Sequence, residues 1–328
     1  MNGAAALTGT SLAIYHELQK RGIVPKSHRS SGVSCLSFPY AGRTRFITGS
    51  SPDLSAATGR TIVDRKDLVH AILADWSEFV KWLVPSELYS DDDQAAAFLS
   101  QHDTIVVKPT DAAHGDGVVM NVDSSEKLAK AVAYAQQYSK KGEVMLQRQM
   151  SGGDYRLIVI DGEVVAAIQR CPAKVYGDGI HTIAELVLMD NANNPHRGKR
   201  PYEKSMDPIS MAAVEKYLTQ EELQRVPAVS EAVQVVGTAN ICTGGYAREC
   251  LSAIPEDIVR MAVSVTQHFG LFICGVDIIA QDGFGEAKLL ELNASPGLMP
   301  YYDPLYGNPA NIPELFVRRL LAAYDQGR

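Results

Sequence analysis

Residues 289–297 read Leu289-Leu-Glu-Leu-Asn-Ala-Ser-Pro-Gly297. Leu289, Leu290 and Leu292 predict a strand inside a sheet. On such a strand Glu291 and Asn293 stand at i and i+2, so both side chains point to one face. Just upstream, Leu271 to Ala280 and Lys288 to Asn293 read as two strands around an Asp282-Gly283 turn, which puts Asp277 on the partner strand. Two carboxylates and one amide oxygen are hard oxygen ligands. The set suits Mg²⁺ held partly by protein and partly by nucleotide phosphates. The alternative is a polar strand face in water, but the leucines around it leave little room for idle carboxylates.

Moving outward, a second cluster combines Lys66 and Lys108 with the loop Ala113-His-Gly-Asp-Gly-Val118. Lys108 ends the apolar strand Thr104-Ile-Val-Val-Lys108, where a cation can reach a phosphate. Gly115 and Gly117 let backbone N–H groups come close to one. The loop is neither a P-loop nor a dinucleotide fingerprint. A third cluster is Arg156 and Arg170 on the two arms of a hairpin, Tyr155 to Ile160 and Glu163 to Ile168, turning at Asp161-Gly162, with Lys174 just beyond. Arginine offers a planar fork for carboxylate or phosphate. A fourth is Asn240-Ile-Cys-Thr-Gly-Gly-Tyr246, where Gly244 and Gly245 could present backbone donors to an oxyanion. His114 and His181 sit in loops with no serine or cysteine nucleophile beside them, which argues against a Ser-His-Asp or Cys-His mechanism.

The rest of the chain frames these clusters. Leu12 to Gly22 reads as a helix. Val33 to Phe38 and Arg43 to Thr48 read as strands joined by Pro39-Tyr40-Ala41-Gly42. A helix begins near Asp64 with Leu68, Ile72 and Leu73 on one face. Asp123 or Ser124 caps a helix bearing Leu128, Val132, Ala135 and Tyr138, and Val144 to Gln147 is a short strand. Residues 187–230 are polar and lack strand alternation, so they read as an inserted loop with short helices. After Pro255 an amphipathic helix carries Ile258, Met261, Ala262, Val265 and Phe269, with Gly270 as its stop. Ile312 to Tyr324 closes the chain as a helix.

Composition sets the limits. The 328 residues are 46% hydrophobic and 21% charged, with a net charge of −7, the range of a globular protein of about two domains. The acidic balance argues against nucleic-acid or membrane partners. No apolar run is long enough to span a bilayer, and the first 15 residues lack the pattern of a secretory signal. Five cysteines, an odd number without zinc-ligand spacing, favour a reducing cytoplasm.

Taken in order, Asp64-Arg-Lys66, Val106-Val-Lys-Pro109, His114-Gly-Asp-Gly117, Gly152-Gly-Asp-Tyr-Arg156, Gly275-Val-Asp277 and Leu290-Glu-Leu-Asn-Ala-Ser-Pro-Gly297 resemble the ATP-grasp superfamily over roughly residues 60–325. Arg170-Cys-Pro-Ala-Lys-Val-Tyr-Gly-Asp-Gly-Ile-His-Thr-Ile-Ala-Glu-Leu186 and Asn240 to Ala247 resemble the ATP-grasp modules of cyanophycin synthetase and bifunctional glutathione synthetase. The resemblance implies an α+β ATP-grasp fold, two α/β subdomains gripping ATP between antiparallel sheets. The expected organisation is a short cap at 1–62, linker helices at 63–103, a lid subdomain at 104–170, and a C-terminal subdomain at 171–328 carrying the metal site and the 187–230 insert.

It also implies a reaction, in which ATP phosphorylates a carboxylate and an amine attacks the acyl phosphate, giving an amide, ADP and phosphate. Lys66 and Lys108 would bind phosphate. The loop with His114, Gly115 and Gly117 would cover the triphosphate. Gln147 and Met150 would fall at the adenine hinge, with Asp154 on the ribose. Asp277, Glu291 and Asn293 would hold Mg²⁺, two ions in number, with Mn²⁺ as a substitute. Arg156, Arg170, Lys174 and the Gly244-Gly245 turn would meet substrate or acyl phosphate. Amino acids or small peptides are the expected substrates. The segment before Lys66 is short for a full substrate domain, so a homodimer completing the pocket is expected. An ATP-grasp kinase, a nucleotide-binding regulator and a ligase acting on a precursor peptide are the alternatives.

Overall fold

The computed structural model describes residues 7, 9–30, 33–112, 115–198 and 206–328. The chain opens with a helix at Gly9–Lys20, which stops where Gly22 takes a positive φ of 75°. Four antiparallel strands follow in sequential order: β1 (Lys26–Ser30), β2 (Val33–Tyr40), β3 (Arg43–Thr48) and β4 (Ser51–Pro52). Alternation sends Leu36, Phe38 and Ile47 inward, onto the first helix and the last one, Ile312–Asp325. The cap is thus a layer with its own sheet.

Helices Ala57–Val63, Lys66–Ala74 and Ser77–Val80 come next. The expected apolar face of the middle one is corrected: Val69, His70 and Leu73 are buried, whereas Leu68 is exposed. Arg65 is extended and breaks the helical run, so the face is set by a helix starting at Lys66.

An outer sheet follows, in the order β5-β8-β6-β7: β5 (Ser86–Leu88), β6 (Ile105–Pro109), β7 (Val119–Val122) and β8 (Val144–Arg148). Helices Asp92–Gln101 and Ser125–Gln136, capped by the Asp91 and Ser124 side chains, cover it. Phe98, Ile105, Val107, Leu128, Val132 and Leu146 give this layer a separate core.

The chain then enters the central sheet. β9 (Gly153–Ile160) and β10 (Glu163–Cys171) form the hairpin expected at Asp161-Gly162, both residues having positive φ. β11 (Lys174–Tyr176) and β12 (Ala232–Gln234) pair with each other. β13 (Tyr246–Glu249), β14 (Ile273–Ala280) and β15 (Ala287–Asn293) complete an antiparallel five-stranded sheet, β13-β10-β9-β14-β15. The β9–β10 hairpin, grouped at the sequence level with residues 104–148, is therefore hydrogen-bonded to the strand that carries Asp277. The 187–230 segment holds short helices, as expected, and they share a core. Helices Ile183–Asn193, Met211–Tyr217 and Gln220–Leu223 pack with β11 and β12 around Ile183, Val187, Val214 and Val235.

One face of the central sheet packs through Leu157, Val159, Val276 and Ile278 on the amphipathic helix Glu256–His268, which ends where Gly270 has φ 63°. The opposite face is divided along the strands. Ile158, Ile160, Ile168 and Ile273 lie under the cap. Farther along the same strands, with the same alternation, come Asp154, Arg156, Arg170 and Asp277.

Candidate functional site

A cavity of about 770 Å³ lies between the central and outer sheets. Of the residues singled out from sequence, Lys66, Lys108, Gly115, Gln147, Met150, Asp154, Arg170, Lys174, Asp277 and Glu291 line it. β14 and β15 pair so that Asp277 faces Glu291 and Gly275 faces Asn293. A bulge follows Asp277, leaving Leu290 as an extra residue on β15, so Glu291 keeps to the site face while Leu289 faces Ile278.

Two groups of charges stand on the walls. In the first, Arg156 grips Asp277 in a side-on pair, Nε donating to Oδ1 at 2.5 Å and Nη2 to Oδ2 at 2.6 Å. Arg170 Nη2 donates to Asp277 Oδ2 at 2.9 Å and to Asp154 Oδ1 at 2.6 Å, and its Nε reaches the same Asp154 oxygen at 2.9 Å. Burial pushes the Asp277 carboxyl up, but the two guanidiniums overcome it and hold the group below the usual carboxylate range. For Asp154 burial wins over Arg170, and its carboxyl titrates higher than usual.

The second group is left open. Lys108, on β6, is buried, and its Nζ donates at 2.8 Å to Gln147 Oε1 on the neighbouring β8. Burial pulls its ammonium down to about 8, although Glu291 acts in the other direction. Gln147 Nε2 is buried without a partner. Lys66 Nζ donates to the Ala112 carbonyl at 2.7 Å and stands 3.8 Å from Glu291. A buried ammonium whose one hydrogen-bond partner among the described residues is a neutral amide is costly unless an anion completes the site. This donor set fits a polyphosphate, and the Asp277–Glu291 oxygens fit a divalent cation shared with it.

Several expected residues are placed differently. Arg156 is engaged with Asp277 behind the cavity wall, and Asn293 Oδ1 accepts the Ser295 N–H at 2.9 Å, so neither lines the cavity. The Gly244 and Gly245 donors are used within their own turn, by Ile241 O at 3.0 Å and Asn240 O at 3.1 Å. They are therefore not free for an oxyanion. Gly244 also rests against Ile209, and its carbonyl accepts from Arg197 at 2.8 Å. Gly117 is packed against Tyr138 and Pro109. His114, and Ala113 with it, lie outside the described residues. Among the described residues no group of three His, Cys, Asp or Glu could hold a metal alone, so oxygens of a ligand would have to complete the Asp277–Glu291 pair.

Sequence reading passed over His70, one helical turn beyond Lys66 on the same helix. Its Nδ1 lies 3.0 Å from Ser86 Oγ, and burial, with the nearby Lys108 charge, pulls its imidazole down to about 4, so it stays neutral. The i, i+4 spacing from Lys66 is the signal that could have found it.

The comparisons agree with this geometry. Residues 74–179 match the model of the prokaryotic glutathione synthetase ATP-grasp domain, and residues 231–303 match the RimK-like ATP-grasp domain. The chain is 29% identical over 332 residues to a cyanophycin synthetase of Trichormus variabilis, covering 99% of this chain and 36% of that protein. It is 30% identical over 242 residues to the glutathione biosynthesis bifunctional protein GshAB of Pasteurella multocida, covering 69% of this chain and 31% of that protein. The chain thus spans about a third of the length of these curated relatives. The crystal structure of a bifunctional glutathione synthetase from Pasteurella multocida superposes with a TM-score of 0.67 at 24% identity, over 96% of this chain and 44% of that one. Two ATP-grasp domain models in succession, one shared fold and one cavity between two sheets lead to a single statement: this chain is an ATP-grasp protein, homologous to cyanophycin synthetase and to the bifunctional glutathione protein.

Proposed function

We propose that the chain is an ADP-forming carboxylate–amine ligase that joins amino acids or small peptides. The observation that carries this reading is Lys108, a buried ammonium that among the described residues has no carboxylate hydrogen-bond partner, in a cavity that also holds the Asp277–Glu291 pair. That arrangement calls for a polyphosphate and a divalent cation together. The relatives' activities point the same way.

Each step follows from charge. A carboxylate oxygen of the substrate attacks the γ-phosphorus, the bond to the β-phosphate oxygen breaks, and ADP leaves. The amine nitrogen then attacks the acyl carbon, loses a proton, and inorganic phosphate departs. Two anions must be held together in the first step. Lys66 and Lys108 would hold the polyphosphate, and Arg170 and Lys174, on the far wall, would hold the acid. Mg²⁺, two ions in this reading and replaceable by Mn²⁺, neutralises phosphate charge when bound at Asp277 and Glu291. Gln147 and Met150 would meet the adenine, and Asp154 the ribose. The outer layer, residues 86–148, would act as the cover that keeps water from the acyl phosphate. Five unpaired cysteines favour the cytoplasm, and a homodimer is the proposed assembly. No described helix is long and apolar enough to cross a membrane.

The test is ATP turnover with Mg²⁺ against pooled amino acids and small peptides, following ADP, phosphate and new masses together. The expected result is ADP and phosphate in equal amounts, with a product lighter than its parts by one water and absent with Glu291→Gln. ADP with a stable phosphorylated product would overturn the ligase reading in favour of a kinase.

A further inference from the structure

Asp277 has an unusual neighbourhood for a carboxylate assigned to a metal. A carboxylate offers about four lone-pair directions, two on each oxygen. The side-on Arg156 pair takes one on Oδ1 and one on Oδ2. Arg170 takes a second on Oδ2. The same Arg170 nitrogen spans to Asp154, at 2.6 Å. Two carboxylates and two guanidiniums therefore form a closed, charge-balanced chain, Arg156–Asp277–Arg170–Asp154. A divalent cation entering this chain alone would add two positive charges to a balanced network of low dielectric, next to a guanidinium already in contact with the ligand oxygen.

We propose that Arg170 is a positioning residue that holds the place of the cation on Asp277 until nucleotide arrives, so that metal binds with the nucleotide and not before it. The inference rests on the site reading above, in which Asp277 is a metal ligand and Asp154 meets the ribose. Ribose hydroxyls at Asp154 compete with Arg170 for Oδ1, the oxygen that receives both its Nε and its Nη2. Polyphosphate brings the negative charge that the incoming cation needs. Both events draw Arg170 off Asp277 Oδ2, and the released guanidinium is left facing the cavity, where the acid substrate is to be held. Arg156 is different. Its pair with Asp277 is side-on, and among the described residues it hydrogen-bonds no second carboxylate, so it stays and fixes the carboxylate's orientation.

The experiment measures Mn²⁺ bound to the full chain by electron paramagnetic resonance, with and without ADP. Wild type is expected to bind Mn²⁺ at least about tenfold more tightly with ADP than Mn²⁺·ADP in solution accounts for, and weakly without it. Arg170→Gln is expected to bind Mn²⁺ about tenfold more tightly than wild type in the absence of ADP. Arg170→Lys, which keeps a charge but loses the fork, should fall between. The paired variant Asp154→Asn/Arg170→Gln keeps the cluster balanced and is read without ADP, which covers a single variant that fails to fold. Equal nucleotide-free Mn²⁺ affinity in wild type and both Gln variants would overturn the proposal, as would tight binding by wild type without ADP. If Asp277→Asn leaves Mn²⁺ binding in the presence of ADP unchanged, the metal assignment itself falls and takes the proposal with it. That outcome is told apart because it does not involve Arg170.

Discussion

The two charged groups on the cavity walls are built on opposite principles. Around Asp277 every charge has a partner within hydrogen-bonding distance, and the guanidinium forks match the carboxylates. Around Lys108 the hydrogen-bond acceptor among the described residues is a neutral amide, and Lys66 and Glu291 stand 3.8 Å from each other. The first group contributes to holding the strands β9, β10 and β14 in register. The second costs stability in the ligand-free chain, and only an incoming anion can return it. A site is thus recognised less by how many charges it gathers than by which of them the fold leaves unanswered.

Breaking the closed group should have the largest effect. Arg156→Leu strands a buried carboxylate with Arg170 alone, and chemical denaturation should show a loss of about 3–5 kcal/mol. In the open group the same kind of substitution should reverse sign. Lys108→Met removes a buried charge, so the ligand-free melting temperature should rise while calorimetric ATP affinity falls about a hundredfold. A lower melting temperature for Lys108→Met would erase the contrast. Outside both groups, Gly49 has φ 63°, and a Cβ there would run into Ser295 Oγ, where the cap meets the loop after Asn293. Gly49→Ala should cost about 1–2 kcal/mol of stability and leave nucleotide affinity nearly unchanged.

The smallest effect is a pH dependence that sharpens the comparison. Lys108 titrates near 8 in the fold, against 10.5 for the ordinary group. Between those values the unfolded chain binds more protons than the folded one, so ligand-free stability should increase as pH rises from about 8 to 10.5. Over the same interval the ammonium is lost, and nucleotide affinity should fall several-fold above pH 8. Melting curves and ATP titrations across that range check both directions, and Lys108→Met should flatten both.

Most of this fold was legible because its strands carry strong local signals. The Asp161-Gly162 turn and the Gly270 helix stop require positive φ, and the sequence supplies the residues that adopt it. Alternation and one turn put Asp277 on the strand beside the one that carries Glu291, but its pairing with Glu291 depends on the bulge at Leu290, which no local signal announces. What stayed hidden was decided by partners distant in sequence. Nothing local says that Arg156 and Arg170 will converge on Asp277 from neighbouring strands, or that His70 will stay neutral near Lys108. The Gly244-Gly245 turn misled because glycine pairs promise free N–H groups, whereas the turn at Asn240 and Ile241 consumes them. In residues 187–230 the short helices were legible, but the small core they share with β11 and β12 was not, because the sequence there is largely polar.

The outer layer enters and leaves the rest of the chain at almost one point. Pro85 precedes β5, Arg148 ends β8, and the Arg148 N–H donates to the Pro85 carbonyl at 2.9 Å. Sixty-odd residues with a separate core are therefore spliced between two neighbouring backbone positions, the topology of a domain insertion. Such a segment can be lengthened, shortened or exchanged during evolution without rethreading the central sheet. The half of the cavity that contributes Lys108 and Gln147 can then diverge at a different pace from the half that contributes Asp277 and Glu291.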